Sequence, residues 1–105
     1  MLVKNRIKKH KEFQEVIAKG ELVRSTFFTF YTLENKLGYT RIGISVPKKS
    51  GNAVVRNKIK RQVRAMCAHN TDYSKSIDLV VIIKKAYDTE NFAEVEQDIQ
   101  NILKK

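Results

Sequence analysis

From Glu34 to Asp72 the chain runs without an acidic residue, yet the middle of this stretch is patterned to fold. Val55, Ile59, Val63 and Met66 recur at helical intervals, while Arg56, Asn57, Lys60, Arg61 and Arg64 gather on the opposite side. The spacing predicts a helix over about 52–69 with one face on a core and the other covered in cations. An exposed helix usually mixes signs and gains from acid–base pairs one turn apart; this one has no acids to pair. A charge run of this kind is most simply a solvated face. Unrelieved repulsion, together with planar Arg and Asn groups suited to phosphate and sugar, instead points to a polyanion.

The remaining composition narrows the class. With 105 residues, a formal charge of +10 and 42% hydrophobic residues, the sequence predicts one folded basic domain over 1–105. No apolar run approaches the roughly 20 residues needed to cross a bilayer, and the start lacks a secretory apolar segment, so no membrane role and a cytoplasmic site are expected. Cys67 is the sole cysteine, which excludes an internal disulfide. Only His10 and His69 could join it, so no zinc-ligand set forms. Cys67 is expected to be a small, partly buried filler, and the two histidines surface or phosphate contacts. There is no Ser/His/Asp or Cys/His grouping, no paired carboxylates at a telling spacing and no glycine-rich phosphate loop.

Along the chain, residues 1–9 read as basic and extended or loosely ordered. Phe13, Val16 and Ile17 give a short amphipathic helix that Gly20 stops. Residues 22–33, rich in aromatic and β-branched types, predict one long strand. Residues 39–46 alternate, with Thr40, Ile42, Ile44 and Val46 on one face and Tyr39, Arg41, Gly43 and Ser45 on the other. Pro47 ends that strand and Asn52 can cap the basic helix. Residues 77–84 form an apolar run suited to a strand buried on both faces. A last helix buries Phe92, Val95, Ile99, Ile102 and Leu103 and turns Glu94, Glu96 and Asp98 outward. The order α-β-β-α-β-α predicts an α+β, two-layer α-β sandwich, and its strand–helix–strand unit would by default cross over right-handedly.

On the first strand, simple alternation puts Phe28 and Phe30 on one face and Phe27 and Tyr31 on the other. Core packing must account for one of these pairs. The outward pair would be a platform for stacking unpaired bases.

Lys48-Lys49-x-Gly51-Asn52-Ala53-Val54-x-Arg56-Asn57-Lys58-Ile59-Lys60-Arg61-x-x-Arg64 resembles the signature of the protein subunit of bacterial ribonuclease P. Arg6-Ile7-Lys8-Lys9 with Glu12-Phe13, Phe28-x-x-Tyr31 and Arg41-Ile42-Gly43-Ile44-Ser45-Val46 extend the resemblance over nearly the whole chain.

The resemblance implies a ribonucleoprotein endonuclease that removes the 5′ leader from precursor tRNA. The RNA subunit, with its Mg²⁺, would be the catalyst; the protein would bind no cofactor itself, carry no catalytic residue and be a monomer before assembly. It also implies a left-handed crossover through the basic helix, in place of the right-handed default. Carried over residue by residue, contact with the catalytic RNA falls to Lys48, Lys49, Asn52, Arg56, Asn57, Lys58, Lys60, Arg61 and Arg64. A cleft for the single-stranded leader falls to Phe13, Ile17 and Tyr31; position 17 is often aromatic in relatives, and Ile17 offers no stacking face. The competing readings are a ribosome-associated, non-catalytic RNA-binding module and a self-sufficient nuclease.

Overall fold

Strand β4 (Ile77–Ile83) lies at the interior of the fold because its residues are apolar in both phases of the alternation. In the computed structural model, which describes residues 3–103, it pairs antiparallel with β2 (Phe28–Glu34) and parallel with β3 (Arg41–Ser45). Strand β1 (Glu21–Arg24) pairs antiparallel with β2 and completes a four-stranded sheet in the order β1-β2-β4-β3. Helices α1 (His10–Lys19), α2 (Ala53–Asn70) and α3 (Phe92–Leu103) complete the α+β sandwich.

The order is thus α-β-β-β-α-β-α, one strand more than expected. Segment 22–33 does not run straight: it turns at Ser25–Phe27, and α3 holds the turn. Ser25 Oγ donates to Asp98 Oδ2 at 2.7 Å, the Phe27 N–H donates to the same oxygen at 2.9 Å, and the Thr26 N–H reaches Oδ1 at 3.3 Å. The turn takes Phe27 out of phase with Tyr31. Phe27 packs with Phe28 and Phe30 in the main core, so the expected Phe27–Tyr31 face does not exist.

Side-chain alternation divides the apolar residues between two faces. Phe28, Phe30, Ile42, Leu79, Val81 and Ile83 meet Ile59, Val63, Met66 and Cys67 of α2 and Val95 and Ile99 of α3. The opposite face is thinner: Ile7, Val16 and Val80 are buried there, with Phe13, Ile17, Tyr31, Leu33 and Ile82 partly covered by α1. At roughly 1.5–3 kcal/mol per buried side chain, the first face supplies most of the stabilisation. The second is left with an open groove.

The hydrogen-bond phase fixes the handedness of the crossover. Lys84 N–H donates to Phe27 O and Asn35 N–H to Ser76 O, so Thr29, Tyr31 and Leu33 direct their backbone groups toward β4. On an ascending strand of L-residues, a side chain facing the viewer goes with N–H and C=O pointing right. Seen from the α1 side with β2 ascending, β4 and then β3 therefore lie to its right, both descending, with α2 behind. Rotated so that β3 and β4 ascend, the chain leaves β3 on the left, passes behind and enters β4 on the right. This is the left-handed crossover, found in only about 2% of such units.

Two sequence expectations change locally. Residues 3–9 are ordered: Ile7 N–H donates to Ile42 O at 3.0 Å, Ile7 is buried, and buried Asn5 donates through Nδ2 to Thr40 O at 2.8 Å. The part of that expectation concerning residues 1–2 lies outside the described residues. Val55, expected on the buried face, is 37% exposed because the first turn of α2 packs on its own entry loop. Gly51, at φ +146°, leaves the space that Val55 fills: a Cβ there would stand 2.9 Å from Val55 Cβ and Cγ1.

Candidate nucleic-acid interface

Helix α2 begins where Pro47 cannot continue the ladder and a 3-10 turn, Lys48–Ser50, redirects the chain. Asn52 Oδ1 then accepts the Val55 N–H at 3.0 Å, capping the helix as expected. This start is what positions the cations. Arg56, Lys60 and Arg64 follow one another at successive turns with half-buried stems, and Asn57 and Arg61 stand exposed beside them. Val54, Asn57, Lys60, Arg61 and Arg64 line a shallow hollow of about 470 Å³. Lys48 and Lys49 are exposed at its N-terminal approach.

Among the described residues, no carboxylate lies within 4.0 Å of Arg56, Lys60, Arg61 or Arg64. Lys58 differs. It turns toward Glu90 at 3.7 Å, an exposed pair worth ~1 kcal/mol at most, and stands apart from the hollow. The hollow thus brings together Lys60, Arg61 and Arg64 with Asn57; Arg56 stands one turn earlier in the same row, and Lys58 lies apart.

The second part of the surface is the groove between α1 and β3. A hollow of about 410 Å³ is walled by Lys8, Lys9, His10, Phe13, Gln14, Ile44, Ser45, Val46 and Lys60. A smaller one of about 170 Å³ adjoins it, between Arg6, Ile7, Phe13, Gly43 and Arg64 among others. Phe13 belongs to both, and α2 contributes a cation to each. Ile17 and Tyr31 share the sheet face of Phe13 but pack with Val16, Leu33, Val80 and Ile82, and they are absent from the walls of these two hollows. Of the three residues assigned to the leader cleft, Phe13 alone reaches the cationic groove. Phe28 and Phe30 are wholly buried, their ring centroids 5.5 Å apart, which settles them as core.

Arg41 is the residue that sequence reasoning passed over. Its Nε and Nη2 donate to Asp78 Oδ1 and Oδ2 at 2.9 and 2.7 Å, and its Nη1 donates to Glu12 Oε2 at 2.9 Å. Asn35 Nδ2 also donates to Asp78 Oδ1, at 2.8 Å. The bond to Asp78, with Glu12 assisting, raises the Arg41 pKa further above its ordinary value. In sequence Arg41 stood in the polar half of an alternation and in a block of the resemblance, with no role of its own. Its partner in the parallel register, Asp78, lay in an otherwise apolar run.

Cys67 is fully buried, more than expected, and burial pushes its thiol up to about 12. Among the described residues, no three His, Cys, Asp or Glu side chains group closely enough to hold a metal ion. No described helix is long and apolar enough to cross a membrane.

The family described as Ribonuclease P matches residues 1–105. The ribonuclease P protein component of Streptococcus pneumoniae strain Hungary19A-6 is 37% identical over 100 residues, covering 94% of this chain and 81% of that protein. Among solved structures, the Staphylococcus aureus RNase P protein superimposes with a TM-score of 0.82 at 38% identity, covering 95% of this chain and 93% of that one. The RNase P protein from Thermotoga maritima gives 0.83 at 31% identity, covering 94% of both chains.

Proposed function

Since this chain belongs to the ribonuclease P protein family, and so serves as the protein component of the enzyme that matures the 5′ end of precursor tRNA, we propose how its surface does that work. The cations of α2 dock on the ribonuclease P RNA, and the α1–β3 groove beside them receives the 5′ leader of the precursor. One observation carries this reading. Arg56, Lys60, Arg61 and Arg64 have no carboxylate partner among the described residues, and Lys60 and Arg64 also flank the groove floored by Phe13.

The physical account is electrostatic and steric. Neutralising phosphates with fixed cations releases condensed counterions, which binds the RNA and lowers the repulsion met by an incoming polyanion. A groove with basic residues along its walls and a single aromatic among them holds a leader mainly by its backbone. Such contacts position without reading sequence, so leader preference is weak. Lys48, Lys49, Asn52 and Asn57 extend the RNA-facing surface. Lys58 contributes least, because it leans toward Glu90. Tyr31 and Ile17 support the groove from behind rather than stacking on bases.

Catalysis belongs to the RNA subunit, and the Mg²⁺ that supplies the activated water and charge stabilisation is held there. The protein is a cytoplasmic monomer until it assembles.

The decisive experiment is reconstitution with bacterial ribonuclease P RNA at low Mg²⁺. Added protein should restore cleavage of precursor tRNA at the mature 5′ end. RNA binding without any gain in cleavage would favour a module that merely coats RNA, and cleavage by rigorously RNA-free protein would place the chemistry in this chain.

A further inference from the structure

Helix α1 has ten residues, too few to be stable alone, and its placement decides the width of the groove. Among the described residues, one side-chain hydrogen bond joins α1 to the rest of the molecule: Arg41 Nη1 to Glu12 Oε2, at 2.9 Å. The other contacts are apolar and non-directional, through Phe13, Val16 and Ile17. They hold the helix against the sheet, and the Ile7–Ile42 bond ties its entry to β3, but beyond that entry no other polar contact among the described residues directs it.

The sheet end of that bond is rigid. The Arg41 side chain is 15% exposed and forked onto Asp78, which is 9% exposed and held in turn by Asn35. The helix end sits next to the groove, since Glu12 directly precedes Phe13 and Arg41 lies two residues before Gly43 on the same strand face. The ion pair and the Phe13–Gly43 contact therefore locate α1 at two adjacent points.

We propose that Arg41 is a positioning residue for leader binding: anchored to Asp78, it holds α1 through Glu12 so that Phe13 stays on the groove floor. This rests on the groove reading given above and adds the element that sets its dimensions. Without the pair, α1 pivots about its tethered entry, the Phe13 ring shifts from Gly43 and the groove loses its fixed width. The α2 cations outside the groove, Arg56 and Arg61, keep their contacts with the RNA, because α2 packs on the opposite sheet face.

The test uses the reconstituted holoenzyme and the ratio of affinities for precursor with leader and for mature tRNA. Glu12→Gln, which leaves only a neutral acceptor, and, separately, Arg41→Lys, which removes Nη1, should lower that ratio roughly three- to tenfold, the range of one weakened or lost charge-assisted hydrogen bond. The cleavage step at saturating precursor should stay near the parent value. Phe13→Ala is the reference. If Phe13→Ala lowers the ratio while Glu12→Gln and Arg41→Lys leave it within twofold, the positioning role is refuted and the groove reading stands. If Phe13→Ala changes nothing either, the groove reading fails and the positioning role falls with it. A purely structural ion pair would weaken both ligands alike and leave the ratio unmoved.

Discussion

The ring of Phe13 occupies the space above Gly43, so closely that a Cβ at Gly43 would stand 2.8 Å from Cε2 and 2.9 Å from Cδ2. No larger residue fits there without displacing the Phe13 ring. Gly43→Ala should therefore lower stability by about 1–3 kcal/mol, as overpacking does. In the holoenzyme it should weaken precursor with a leader more than mature tRNA. Urea denaturation and paired binding isotherms check the two effects, and an Ala variant equal to the parent in both would remove the contact from the account.

Arg61 is exposed, faces the α2 hollow and has no carboxylate within 4.0 Å among the described residues. Arg61→Ala should weaken binding to ribonuclease P RNA. The log–log salt slope should flatten by roughly 0.7–0.9, one phosphate contact's share. Titrations at several KCl concentrations measure it; an unaltered slope places Arg61 off the RNA.

Asp98 belongs to the acidic side of α3, but its carboxylate closes the Ser25–Phe27 turn through three donors. Asp98→Ala should destabilise the fold by about 2 kcal/mol, because those donors lose a charged acceptor. The salt slope for RNA should not move. Denaturation midpoints and the same KCl titrations separate this residue from Arg61.

The Cys67 thiol, pushed up to about 12 by burial, stays neutral in the folded protein at pH values where it would ionise in an unfolded chain. Its contribution to stability is complete below the ordinary thiol value and declines as pH climbs through that value toward 12. At pH 8 a disulfide exchange reagent should fail to label the native protein and label it promptly in denaturant. Fast labelling of the native state would show that the site opens.

What the sequence disclosed was what short-range periodicity encodes. Ile59, Val63 and Met66 repeat at helical spacing, and all three are buried under a helix whose other side is cationic. The run at 77–83 reads as a strand covered on both faces because nearly every residue in it is apolar. The failures have long-range causes. The bend after Arg24 depends on Asp98, over seventy positions later, and nothing local in Ser25-Thr26-Phe27 announces it. Arg41 and Asp78 become partners only through a parallel register that a single chain does not display. Val55 obeyed the helical period yet lost its core neighbours because the first turn overhangs Gly51. The cationic face of α2 was legible; Arg41 as the polar link between sheet and α1 was not.

Strands β2 and β3 follow one another in the chain, but each is paired with β4 and neither with the other. A nascent polypeptide that has emerged only as far as α2 therefore has a β3 whose partner strand is missing, tied to the chain by the bond from Ile7 to Ile42, and a polycationic segment without a platform. Translation must deliver residues 77–83 before the sheet can close. Incomplete chains on the ribosome, an assembly made largely of RNA, thus carry these cations in an unassembled state, and the ordered surface comes into being only once residues 77–83 have joined the sheet.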